Sequence, residues 1–215
     1  MGLLQQLDGN WLIGIQKTLN TDWLTPIMIF ITKLGEGGYL WIAICLLLLV
    51  FKKTRRLGIL CSLSLLFAFI SCNVILKPII DRTRPWIVFK EVHAFLPHPG
   101  DSSFPSGHST NFMAPSWALY LNTLPIRRGE MQKGEALPSL GWGGESVSRR
   151  LMHRLGIVAV ILAILVGFSR LYLGMHFPTD VIGGLLLGRV CATIIAIIIR
   201  NIENKKGVIG ERIKG

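Results

Sequence analysis

Apolar residues recur along most of this chain in runs approaching membrane-spanning length, at 23 to 35, 38 to 51, 57 to 76, 105 to 121, 155 to 173 and 181 to 199. A helix needs about 20 largely apolar residues to cross the hydrocarbon layer, and a backbone in lipid must satisfy its own hydrogen bonds. The expected fold is therefore all-α, a polytopic membrane bundle of six transmembrane helices within residues 23 to 200. The first run is short and holds Pro26 and Lys33, which leaves five crossings as the alternative, and the Gly-rich "LGEGGY" is expected to turn the chain into the second run.

Composition agrees: 51% of the 215 residues are hydrophobic and the mean hydropathy is +0.52. Residues 1 to 22 lack the continuous apolar core of a cleavable signal. Instead Leu4, Leu7, Trp11, Ile15 and Leu19 recur at helical spacing, the pattern of an amphipathic helix lying on the membrane. Cys45, Cys61, Cys72 and Cys191 fall inside apolar runs with neither metal-ligand nor disulfide-scaffold spacing, and read as small hydrophobic side chains.

The net charge of +11 is mostly topology rather than a nucleic-acid footprint. Basic residues gather in "KKTRR" after the second run, in the loop 122 to 153 after the fourth, and in the tail 201 to 215. The positive-inside rule puts these segments, and with six crossings both termini, on the cytoplasmic side of the cell membrane. Residues 77 to 104 and 173 to 180 then share the outer rim. The loop 122 to 153 carries no recognisable chemistry, and Gly184 and Gly188 have the spacing of a helix-packing motif.

Three polar islands meet on that rim: "KPIIDRTRP" with Lys77 and Arg84, "PSGH" at Pro105 to His108, and "SRLYLGMHFPTD" with Ser169, Arg170, His176 and Asp180. Three fixed cations, Lys77, Arg84 and Arg170, suit a phosphate, the arginine fork being matched to its oxygens. Ser106 and Gly107 begin a helix, where backbone N–H groups and a hydroxyl can meet an anion. Phosphate-ester hydrolysis also needs a nucleophile and a proton for the leaving oxygen. His176 fits the nucleophile, Asp180 its orienting carboxylate, and His108 the general acid that later serves as base for the water cleaving a phosphohistidine.

These motifs resemble those of the type 2 phosphatidic acid phosphatase superfamily. The resemblance spans about residues 57 to 190. It implies a lipid phosphatase with six membrane helices, no metal and no cofactor, working through a phosphohistidine. By the same analogy the first expected substrate is undecaprenyl diphosphate, with phosphatidylglycerophosphate or phosphatidic acid next. Vanadium haloperoxidase-like chemistry and non-catalytic transport of lipid phosphates are the remaining classes.

Other polar residues read as structural. Asp81 and Arg82 are expected to form an interfacial ion pair, His93 and His98 to be loop residues, Trp86 and Phe89 interfacial aromatics, and His153 a surface group.

Overall fold

The computed structural model describes residues 2–123 and 146–212, all helix and connecting segments. In chain order the helices are α1 (Leu3–Leu19), α2 (Leu24–Leu34), α3 (Tyr39–Val50), α4 (Arg55–Phe69), α5 (Lys77–Ile80), α6 (Pro85–Val88), α7 (Gly107–Thr123), α8 (Ser146–Tyr172) and α9 (Pro178–Arg212). A 3-10 turn at Glu36–Gly38 joins α2 to α3, and a π-helical stretch at Ile70–Leu76 joins α4 to α5.

Among the described residues, three stretches are long and apolar enough to cross a membrane: Arg55–Val88, Leu151–Tyr172 and Pro178–Glu203. α2 and the segment Glu36–Val50 pass the same test only as a pair, and they differ in direction by 40°. The reversal expected at "LGEGGY" is therefore not what the chain does. Gly37 and Gly38 take φ of 57° and 68°, open to glycine at no steric cost, and bend a single rod. Neither half is long enough alone, since 11 and 12 residues rise about 16 and 18 Å against a hydrocarbon layer of ~30 Å.

α7 lies at the centre, packed against α4, α8 and α9. Its 17 residues rise about 26 Å. The main core gathers Trp41 of α3, Leu57, Leu60 and Cys61 of α4, Phe112 and Met113 of α7, and Ala163 and Val166 of α8. Lipid tails are as apolar as these side chains, so close packing rather than escape from water holds such helices together. The α7–α9 seam shows how tight it is: a Cβ on Gly184 would lie 2.6 Å from the Ser106 carbonyl oxygen, and one on Gly188 2.6 Å from that of Thr110. All four cysteines are buried and free.

α1 packs on α8 and α9 through the face opposite its apolar stripe. Asp8, Leu12 and Gln16 face the protein, whereas Leu4, Leu7 and Trp11 of the predicted apolar stripe point away, 67%, 49% and 70% exposed. Asp8 contacts Arg82 and Thr179, beside the start of α9, while Glu203 near the other end of α9 pairs with Arg56 at the start of α4. The start of α1 and the far part of α9 thus lie at opposite ends of the bundle. α9 also continues past residue 200, where a tail was expected. Of the expected loop 122 to 153, residues 146 to 153 belong to α8 and 124 to 145 lie outside the described residues.

Candidate active site

The three polar islands converge at the end of the bundle where α1 lies. The π-helical stretch, a deviation frequent at functional sites, carries the chain from α4 to Lys77, which is 6% exposed. Arg84 follows as the N-cap of α6 and Arg170 ends α8, each 4% exposed. Gly107 and His108 open α7, and His176 sits in the short link from α8 to α9. Lys77, Arg84, His108, Arg170 and His176 all line one cavity of about 240 Å³. Gly107 lines it too, and a Cβ there would lie 2.9 Å from Asn73 Oδ1 and 3.7 Å from Lys77 Nζ.

His176 is 2% exposed, and its ring is fixed from both sides. Nδ1 lies 2.8 Å from the Ser103 carbonyl oxygen, which can only accept, so the proton is on Nδ1 and Nε2 carries the lone pair. Arg84 Nη1 approaches Nε2 at 3.4 Å while donating to the Met175 carbonyl at 2.9 Å. Burial, with Arg170 and Arg84 nearby, pushes the His176 pKa from 6.5 down to about 4, against the opposing pull of Asp180. The imidazole is therefore neutral at pH 7.

Asp180 stands behind His176 rather than bonded to it, its Oδ2 lying 3.6 Å from Nδ1. That oxygen accepts from the Phe177 N–H at 2.8 Å and from the Ser103 hydroxyl, and Oδ1 accepts from Arg82 Nη1 at 2.6 Å. The carboxylate thus grips both sides of the imidazole's surroundings, the residue after His176 and the residue whose carbonyl holds it. Arg82 does not pair with Asp81 as expected; it bridges Asp180 and Asp8, which lies on α1.

Ser106 departs from its expected place. It is fully buried, its N–H donates to the Asp180 carbonyl at 3.0 Å, and its hydroxyl accepts from Ser109 Oγ at 3.0 Å. It ties the head of α7 to the head of α9 and does not line the cavity. Ser169 is likewise spent within α8, donating to the Val166 carbonyl at 2.7 Å.

Three cavity groups had no signal in the motifs. Asp101 bridges Lys77 and Arg84 through its two carboxylate oxygens, and those bonds outweigh its burial to lower its pKa to about 2. Asn73 and Asn111 line the wall. The Oδ1 of Asn111 and the Nε of Arg170 are buried without a hydrogen-bond partner among the described residues, whereas Arg170 Nη1 donates to Thr32 Oγ1 at 2.9 Å. Elsewhere, His98 stacks on Trp86 with centroids 4.9 Å apart, and Phe89 packs on Phe177.

A second, apolar space of about 410 Å³ adjoins the cavity between α3 and α4. Ile42, Leu46, Leu65 and Leu66 line it, and Gly37, Gly38, Phe69 and Asn111 border both spaces. A cationic chamber with a neutral imidazole thus opens onto a greasy groove. Among the described residues, no three His, Cys, Asp or Glu side chains are grouped as a metal-ligand set.

Residues 56–203 match the model of the PAP2 superfamily. The chain is 32% identical over 165 residues to the undecaprenyl-diphosphatase of Sulfolobus acidocaldarius, covering 77% of this chain and 66% of that one. It is 34% identical over 178 residues to phosphatidylglycerophosphatase B of Bacillus subtilis, covering 79% and 72%. Its structure resembles that of the PAP2-type phosphatidylglycerolphosphate phosphatase from Bacillus subtilis, with a TM-score of 0.70 at 27% identity over 94% of this chain and 89% of that one. LpxE of Aquifex aeolicus shares the fold, with a TM-score of 0.56 at 23% identity over 86% of this chain and 92% of that one.

Proposed function

We propose, from the premise that the chain belongs to the PAP2 superfamily, that it is a membrane lipid phosphatase acting through a phosphohistidine, with undecaprenyl diphosphate as its first substrate. The observation that carries the proposal is the convergence of Lys77, Arg84, Arg170, His108 and His176 on one cavity that runs into an apolar groove. A phosphate replaces Asp101 between Lys77 and Arg84 and meets Arg170 on its other side. The tail lies along α3 and α4.

His176 Nε2 attacks phosphorus in line, its lone pair forming the P–N bond as the bond from phosphorus to the lipid-side oxygen breaks. His108 gives that oxygen a proton. Water then attacks the phosphohistidine, passing a proton to His108, and the P–N bond breaks to release phosphate and restore His176. The three cations stabilise the equatorial charge in a site largely closed to water, where such contacts are strongest. They fill the role a metal has in other phosphatases.

The orientation that suits this reading has five crossings: the broken α2–α3 rod, Arg55–Val88, α7, α8 and α9. Lys52, Lys53, Arg55 and Arg56 gather at the start of α4, where Arg56 pairs with Glu203 two residues before Lys205 on α9, away from the site, so the positive-inside rule turns the cavity and α1 outward and the end of α9 into the cytoplasm of a cell-membrane protein. The exposed stripe of α1 then rests in the outer lipid interface.

A glycerolipid, phosphatidylglycerophosphate or phosphatidic acid, is the second reading, favoured by the likeness to the Bacillus subtilis structure. Phosphate release in EDTA from each of the three lipids, with His176→Ala as control, separates them. Preference for the polyprenyl diphosphate supports the first reading and preference for a glycerolipid the second. Turnover by His176→Ala equal to wild type removes the phosphohistidine mechanism, whereas no release from any of the three lipids by the wild type leaves transport or vanadium-dependent halide oxidation to be assayed.

A further inference from the structure

Asp8 lies 74 residues before Arg82 and outside the matched family region, yet it is 4% exposed and ion-paired beside the site. A buried carboxylate is costly unless paired, and here the pairing is shared. Arg82 Nη2 donates to Asp8 Oδ2 at 2.6 Å, and its Nη1 donates to Asp180 Oδ1 at 2.6 Å and Thr179 Oγ1 at 2.7 Å. The other oxygen of Asp8 accepts from the Thr179 N–H at 3.1 Å. Phe177 closes one face of the Arg82 guanidinium, 4.2 Å from its ring centroid.

The backbone of Arg82 is equally committed. Its carbonyl accepts from the Ser103 N–H at 2.8 Å, and its N–H donates to the Ser102 hydroxyl at 2.9 Å. Arg82 therefore holds both groups that surround His176: through its side chain Asp180, and through its main chain Ser103, whose carbonyl takes the Nδ1 proton. With two carboxylates to satisfy from fixed positions, the planar fork has one orientation. Remove the charge at Asp8 and the fork loses its outer anchor, leaving Asp180 and the start of α9 free to shift.

We propose that Asp8 and Arg82 are positioning residues for the His176 nucleophile, so that α1, a helix outside the motifs, completes the catalytic apparatus. The inference rests on the reading of His176 given above. α1 also docks by contacts independent of this chain of charges: Leu12 is fully buried, and Gln16 Nε2 donates to the His93 carbonyl at 2.8 Å. Those contacts supply the control.

The experiment is steady-state phosphate release by full-length protein in detergent, from whichever of undecaprenyl diphosphate and phosphatidylglycerophosphate the wild type hydrolyses faster. Melting temperatures are taken on the same samples. Asp8→Asn and Arg82→Gln are expected to lower kcat roughly 10- to 100-fold, the scale of a misplaced reacting group, with KM within about twofold because neither touches the phosphate cradle. Arg82→Lys should recover part of the loss. Leu12→Ala should lower the melting temperature at least as far as Asp8→Asn while holding kcat within about threefold.

Wild-type kcat in Asp8→Asn, a change confined to KM, or an equal kcat loss in Leu12→Ala at equal melting temperature overturns the inference. If Asp8→Asn is fully active while His176→Ala is dead, only this inference falls. If His176→Ala is itself as active as wild type, the reading of the site falls with it.

Discussion

The Nδ1 of His176 is bonded to the main-chain carbonyl of Ser103 at 2.8 Å, and the carboxylate of Asp180 stands farther off at 3.6 Å. A backbone carbonyl therefore fixes the tautomer, and the carboxylate braces what surrounds it. Asp180→Asn is accordingly expected to cost roughly 10- to 100-fold in kcat, well short of the ~10⁴ lost where a carboxylate alone sets the tautomer. His176→Ala should show no release above background. Equal, complete loss in both variants would return the tautomer-fixing role to Asp180.

Asp101 holds the two cations that a phosphate must claim, with its side chain 49% exposed. A half-exposed pair is worth about 1 kcal/mol or less, which is several-fold in a binding constant. Asp101→Asn should therefore lower the inhibition constant of inorganic phosphate by that factor. Competitive inhibition assays would read it, and an unchanged constant would mean that Asp101 does not compete for the site.

Ser62 borders the apolar groove between α3 and α4. A phenyl ring there fills space the lipid tail is proposed to occupy, an effect of about 1–3 kcal/mol for pocket-filling changes. Ser62→Phe is expected to raise KM for a long-chain lipid phosphate roughly tenfold or more and to leave a short-chain, water-soluble analogue unaffected. Parallel loss on both substrates would place the tail elsewhere.

Gly184 bears directly on the site, because the nearest atom to its missing Cβ is the carbonyl oxygen of Ser106, at 2.6 Å. That contact is backbone and cannot rotate away. Gly184→Ala should cost about 1–3 kcal/mol of stability, the usual penalty for overpacking, and Gly184→Leu should prevent recovery of folded protein. Thermal melting in detergent tests this against Gly14→Ala on α1, where a Cβ meets nothing within 4 Å.

The depressed His176 pKa sets a direction for stability. Its value falls from 6.5 to about 4 on folding, so between these two the unfolded chain binds a proton that the folded one does not. Stability contributed by the neutral ring is fully present above about pH 6.5 and declines as pH falls toward 4. The melting temperature of the wild type should drop more steeply across that window than that of His176→Gln. Parallel curves would show that the ring keeps an ordinary pKa in the folded protein.

The sequence by itself determined the helical class, the cation set and the two histidines, because each depends on local properties: the length of an apolar run, or residue types a few positions apart beside a helix end. It also placed the apolar stripe of α1 on one face. What the opposite face meets was decided only by the tertiary structure, which brings Asp8 to Arg82 and Arg82 to Asp180 across 74 and 98 residues. Hydropathy carries no record of such partners. It also reads two apolar runs flanking glycines in the same way whether the chain reverses or bends, and only the packing of α2 against α8 and of α3 against α4 fixes the 40° bend. Ser106 and Asp101 exchange their expected importance for the same reason: whether a polar group faces a cavity or is consumed by a neighbour depends on atoms that the sequence places far away.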